Sequence, residues 1–120
     1  AINRAVGWKF TSNDTVNQML QYIHSHFTEN ISLEQLSDLT FCTKSYLARL
    51  FKKYMDISIL NYIHRLRIEK AVSYLKEGKM TIQEIAEAVG YQNLNNFYKY
   101  FKQEKGETPA VFLQNWKRQK

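Results

Sequence analysis

Phe97, Tyr100 and Phe101 stand three and four residues apart, so on a helix they share one face. That spacing turns Leu94, Asn95, Asn96, Tyr98, Lys99 and Lys102 to the opposite side. Two amides and two ammonium groups there are rich in hydrogen-bonding capacity. One explanation is local, because an asparagine near a helix start caps free backbone N–H groups. The other is a surface that meets a partner. Classical chemistry is scarce elsewhere. His24 and His26 are two apart, point in different directions on a helix and cannot share one metal; His64 is distant. Neither a metal site nor a cofactor is expected. Cys42 is the single cysteine, so no internal disulfide forms, and a reducing compartment such as the cytoplasm fits. It reads as a small buried hydrophobe before it reads as a reactive thiol. The chain has no nucleophile–base set, phosphate-binding glycine loop or zinc motif, so no catalytic residue is named and no enzyme is expected.

These residues must be positioned by a chain of 120 residues, enough for one or two small cores. Hydrophobic residues make up 44% and charged residues 23%, which excludes a disordered chain. Lys and Arg number 17 against 11 Asp and Glu, a formal charge of +6 that points to a polyanionic partner without naming it. No apolar run approaches membrane-spanning length, and no signal peptide is visible, so no membrane partner is expected. Residues 1–13 show little periodicity despite Trp8 and Phe10, and read as a linker or appended segment of a longer protein.

The chain resembles itself. Ser32–Thr40 (SLEQLSDLT) matches Thr81–Val89 (TIQEIAEAV), each opening with Ser or Thr followed three residues later by Gln or Glu, the capping-box pattern. Thr43–Lys53 (TKSYLARLFKK) matches Asn93–Gln103 (NLNNFYKYFKQ), with Leu47 on Phe97, Arg49 on Lys99 and Phe51-Lys52 on Phe101-Lys102. Asp56, Ser58 and Tyr62 match Gly106, Thr108 and Phe112. Each copy predicts a short helix, a tight turn and a second amphipathic helix, which is a helix-turn-helix. Composition alone allows an αα-hairpin of a helical repeat equally well, although two copies are too few for a solenoid. Between the copies, Ser58–Gly78 predicts one long helix, with Ile59, Tyr62, Ile63, Leu66, Ala71, Tyr74 and Leu75 as its apolar stripe. Asp14 is expected to cap a helix through Val16, Met19, Leu20, Ile23 and Phe27, and Thr108-Pro109 to open the last one. The expected fold is all-α with about seven helices. Its divisions are a first helix-turn-helix subdomain over 14–57, a connecting helix over 58–77, and a second helix-turn-helix subdomain with a C-terminal helix over 78–120.

The stretch IAEAVGYQNLNNFYKYFKQEKGETP, Ile85 to Pro109, carries an IA pair, a V-G-aromatic turn, F-x-x-x-F-K and G-x-T-P. With YLARLFKKYMDIS and YIHRLRIEKAVSYL in the first copy, the chain resembles the DNA-binding domain of the AraC/XylS family of bacterial transcription regulators over about Asp14 to Trp116. Asp56 stands where the family usually has glycine, Thr40 where it has an apolar turn residue, and Phe112-Leu113 where it has Tyr-Arg.

The resemblance implies two helix-turn-helix units joined by a long central helix, and double-stranded DNA as the partner. The second helix of each unit would enter a major groove, and the two grooves would be adjacent. Leu94, Asn95, Asn96, Tyr98 and Lys99 would then face base edges and phosphates. In the first unit the corresponding face is Lys44, Ser45, Ala48, Arg49, Lys52 and Lys53. Arg49 suits guanine, Asn suits adenine, and a leucine suits a thymine methyl. Lys52, Lys53 and Lys102 suit phosphates, which position without specifying. Asn93 would keep the capping role, and Arg67 a structural one. Two unlike heads in one chain imply a monomer on an asymmetric operator, its base clusters about 10 base pairs apart. An activator would also meet RNA polymerase. Two other classes remain. One is a DNA-repair methyltransferase, which would need a further domain. The other is a helical module whose outward face binds an acidic protein.

Overall fold

A computed structural model describes residues 11–119. Seven α-helices and no strand are present among them. They are α1 (Asp14–His26), α2 (Leu33–Thr40), α3 (Lys44–Met55), α4 (Ile59–Glu77), α5 (Ile82–Ala88), α6 (Leu94–Lys105) and α7 (Pro109–Gln119). The chain divides into two compact units at Ile63/His64, inside α4. Most of the expected linker, and Lys120, lie outside the described residues.

In the first unit, α1 starts one residue earlier than expected, at Asp14 itself. Asn13, not Asp14, is the cap, and its side chain accepts the Val16 N–H at 3.0 Å. Asp14 is the first helical residue, where its charge complements the helix dipole. Val16, Met19, Leu20 and Ile23 are fully buried, and Phe27 follows at the C-cap, partly buried. Both bonds of the α2 capping box form: Ser32 Oγ accepts the Gln35 N–H at 3.1 Å, and Gln35 Oε1 accepts the Ser32 N–H at 2.9 Å. Thr40, in its unusual place, returns its hydroxyl to the Leu36 carbonyl at 2.8 Å. The turn that follows puts Phe41 at φ 59°, in the left-handed region, with its side chain 94% exposed.

The second unit repeats these devices. Thr81 and Glu84 complete the α5 capping box, at 3.1 and 2.8 Å. Gly90, at φ 110°, supplies the turn, a conformation that costs glycine little. The turn is closed by the Tyr91 N–H to the Ala86 carbonyl at 2.9 Å. The core gathers Ile68, Ala71, Val72, Leu75, Ile85, Ala86, Val89, Tyr91, Phe97 and Phe101.

The sequence repeat is a structural repeat. Helix α3 ends at Asp56 and α6 at Gly106, with φ 58° and 78°, and the capping N–H reaches the Lys52 and Lys102 carbonyls at 2.9 and 2.8 Å. Ser58 and Thr108 then cap α4 and α7, accepting the Asn61 and Val111 N–H groups. Phe51 packs edge-on against Tyr62 at 5.5 Å, and Phe101 against Phe112 at 5.7 Å. Phe112 and Leu113, where the resemblance led one to expect Tyr-Arg, thus join the packing of the second core.

Helix α4 departs from its expected stripe. Ile59, Tyr62, Ile63, Ala71 and Leu75 are buried as expected, but Leu66 and Tyr74 are only partly so. Ile68 and Val72 are buried instead, together with His64 and Arg67.

Candidate nucleic-acid interface

Helix α3 is seated by Leu47, Leu50 and Phe51, all buried. Thr43 caps it by accepting the Tyr46 N–H at 3.2 Å. The remaining face carries Lys44, Ser45, Ala48, Arg49, Lys52 and Lys53, all exposed. No acidic residue lies within the helix, so the face is electropositive. Lys44 approaches Glu34 at 3.8 Å with both groups exposed, a pair worth little and readily exchanged for a phosphate. Lys53 lies over the Tyr54 ring at 5.7 Å.

Helix α6 is seated by Phe97 and Phe101, both fully buried. Asn93 holds the cap, accepting the Asn95 N–H at 2.8 Å and the Asn96 N–H at 3.3 Å. The side chains of Asn95 and Asn96 are exposed and take no part in that cap, so the capping explanation fits Asn93 alone. Lys99 and Lys102 are exposed, as is Tyr98, whose ring tilts against Phe97 at 6.0 Å. Leu94 is different. It was expected to face outward, but it is half-buried and packed on the core cluster. Leu94 precedes Phe97 by three residues, which is only about 60° around a helix, so it borders the buried stripe.

A cluster not evident in the sequence supports this helix from below. His64 stacks on Tyr100 at 3.5 Å, and its Nδ1 meets the Tyr91 hydroxyl at 2.6 Å. Arg67 lies over the Tyr91 ring at 5.1 Å, and Lys99 over Tyr100 at 5.3 Å. Burial, then the charges of Arg67 and Lys99, hold the His64 pKa down at about 4. Burial also raises the Tyr91 pKa far above that of an ordinary phenol, so its hydroxyl stays protonated beside the neutral imidazole. Two ion pairs tie α6 to α4, Arg65 to Glu104 at 3.5 Å and Lys105 to Glu69. Histidine spacing along the chain could not reveal this cluster, because its members meet only through the packing of three segments. Arg67 is buried within it, pointing away from solvent.

Among the described residues, no group of three or more His, Cys, Asp or Glu is placed to hold a metal. No helix among them is long and apolar enough to cross a membrane. Cys42 is partly exposed in the first turn, its thiol directed at the Thr40 carbonyl at 3.4 Å; it is less buried than expected.

Comparison with known proteins decides the family. A family described as a helix-turn-helix domain matches residues 36–115. The bifunctional transcriptional activator/DNA repair enzyme AdaA of Bacillus subtilis (strain 168) is 35% identical over 106 residues, 88% of this chain. The chain belongs to the AraC/XylS family of helix-turn-helix transcription regulators. Among solved structures, it is similar to the C-terminal domain of AraT, a response regulator from Geobacillus stearothermophilus. The TM-score is 0.81 at 31% identity, covering 86% of each chain. It is also similar to a probable AraC family transcriptional regulator from Rhodopseudomonas palustris CGA009, with a TM-score of 0.77 at 26% identity over 86% of this chain and 97% of that one. The chain spans 50% of the length of AdaA. Within the family, this chain is an AraC-type DNA-binding domain.

Proposed function

We propose that this AraC-type domain reads an asymmetric double-stranded site as a monomer, with α3 and α6 each entering one of two adjacent major grooves. The observation that carries the reading is the pair of repeat-related helices with unlike exposed faces. One offers Ser45, Ala48 and Arg49, the other Asn95, Asn96, Tyr98 and Lys99. A dimer of identical heads reads a palindrome, whereas two different heads in one chain read a site with direction. Arg49 pairs with a guanine through its planar fork, and Asn95 and Asn96 serve adenine. Lys44, Lys52, Lys53 and Lys102 hold phosphates. Leu94, half-buried, contacts the duplex only at the rim of the face.

The whole protein is a bacterial transcription regulator in the cytoplasm, and the domain meets RNA polymerase when it activates. AdaA carries repair activity in its name, but this chain spans half of it. Cys42 sits in a helix-turn-helix turn, its thiol directed at the Thr40 carbonyl. We therefore assign this chain no catalysis, and a methyl-transfer assay on it should show none.

The testing experiment is a gel-shift titration on a selected site, against random competitor. Inserting five base pairs between the two base clusters moves one to the far side of the duplex, so binding should fall to the nonspecific level. Dimeric binding to a palindrome, or tolerance of the insertion, would overturn the two-headed monomer. Absence of any sequence preference would leave the protein-interaction reading.

A further inference from the structure

Under the exposed face of α6, three rings lie nearly parallel. His64 stacks on Tyr100 at 3.5 Å with 8° between the planes, so it fills one side of that ring at contact distance. Tyr91 lies 5.6 Å from His64 at 9°, and 6.0 Å from Tyr100 at 18°. The stack is anchored from within the second unit. His64 Nδ1 stands 2.6 Å from the Tyr91 hydroxyl, and the Arg67 guanidinium lies over the Tyr91 ring at 5.1 Å. Lys99 is exposed, and its ammonium lies 5.3 Å from the centre of the Tyr100 ring.

A lysine is a compact charge on a flexible stem, and ordering it against a partner costs side-chain entropy. An ammonium over an aromatic ring is held by the ring's quadrupole. That hold is only as fixed as the ring, and Tyr100 cannot turn without breaking its stack with His64. Burial, then the charges of Arg67 and Lys99, keep the imidazole neutral, so it does not repel Lys99. The internal repeat sets the two heads apart. Lys99 matches Arg49, but Tyr100 matches Leu50 and Tyr91 matches Cys42. The first head thus presents a guanidinium, whose planar fork is already pre-organised, above an aliphatic residue. The second head presents a flexible ammonium and has the ring stack beneath it.

We propose that Tyr100 and His64 are positioning residues for Lys99: the stack holds its ammonium in one place, so that Lys99 discriminates among bases instead of only adding charge. The inference rests on the DNA-reading function proposed above, and neither ring needs to touch the duplex. Releasing this lysine should lower discrimination at its base position about five-fold, the equivalent of ~1 kcal/mol of side-chain ordering.

The test has one readout without DNA and one with it, both on the whole chain. In NMR spectra of the free chain, the Lys99 Cε methylene protons, assigned by their loss in Lys99→Ala, should resonate upfield of those of Lys52 and Lys102. Coincidence with those lysines in the unmodified chain would overturn the proposal. On DNA, sequence preference is measured by selection for the unmodified chain, Lys99→Ala, Tyr100→Leu and Tyr100→Phe. Tyr100→Leu gives α6 the residue that the first copy has there. It keeps the lysine charge, so the slope of affinity against salt should be unchanged. Its preference should fall about five-fold at the position that Lys99→Ala relaxes, and at no other. Tyr100→Phe retains the ring and should restore that preference. Tyr100→Leu combined with Lys99→Ala should be no less selective than Lys99→Ala alone, because the two residues act as one. Full preference at that position in a folded Tyr100→Leu would overturn the positioning role. So would a loss spread evenly over every position read by α6, which is what simple support of the helix predicts. Absence of any sequence preference in the unmodified chain would overturn the DNA reading and this role with it, whereas the other outcomes overturn the role alone.

Discussion

Phe41 is an aromatic residue in a backbone conformation that L-residues avoid, and its ring is 94% exposed. The second copy uses Gly90 at the same turn. Since the Phe41 ring packs on little, Phe41→Gly should relieve strain without opening a cavity. Stability should rise by roughly 0.5–1 kcal/mol after allowing for the greater freedom of an unfolded glycine. Urea denaturation measures this, and a lowered midpoint would show that the ring contributes to the fold. The residue type of Phe41 gives no sign of a left-handed backbone; only the requirement of the turn, met by Gly90 in the second copy, forces it there. Asp56 was legible, since its match to Gly106 placed it at a helix C-cap. A second residue-scale prediction concerns His24 and His64. Burial lowers both to about 4 from the ordinary 6.5. The unfolded chain therefore binds more protons than the folded one between those values. Stability should be full above pH 6.5 and decline as pH falls toward 4. Thermal melts from pH 7.5 to 5 should show a falling midpoint; a flat profile would mean that these imidazoles are solvated in the fold.

At the scale of the helix, the two faces of α3 and α6 make opposite predictions. Phe51→Ala and Phe101→Ala remove fully buried rings and should cost about 3–5 kcal/mol of stability. Arg49→Ala and Asn95→Ala alter exposed side chains. They should leave the melting temperature nearly unchanged, cost about 1–3 kcal/mol on the preferred site and relax one base position each. If Arg49→Ala melted early while keeping its sequence preference, the faces would be wrongly assigned. Periodicity revealed these faces because a buried apolar stripe seats each helix, Leu47, Leu50 and Phe51 in α3 and Phe97 and Phe101 in α6. It failed at Leu94, which borders the stripe in the first turn, and along α4. There Ile59, Tyr62 and Ile63 are buried in the first unit, while Ile68, Ala71, Val72 and Leu75 are buried in the second. A helix that serves two cores in succession does not carry one straight stripe, and a single-stripe reading therefore missed Ile68 and Val72.

For the whole molecule, the repeat was the most legible feature, because matched caps, turns and aromatic pairs recur at a nearly constant offset. The His64–Tyr91–Tyr100–Arg67 cluster was not legible, since it depends on packing between distant segments. The two exposed faces carry Lys44, Arg49, Lys52, Lys53, Lys99 and Lys102, in a chain of net charge +6. With roughly six phosphate contacts, log K should fall with log salt at a slope of about −5. A slope near zero between low and physiological salt would remove these cations from the interface. The most direct test of the two-headed account is selection of bound sequences from random duplex DNA by the unmodified chain, with Arg49→Ala and Asn95→Ala selected in parallel. The account predicts an asymmetric motif of two unlike base clusters about 10 base pairs apart, with each variant relaxing a different cluster. A palindrome, a single cluster, or both variants relaxing the same cluster would contradict it.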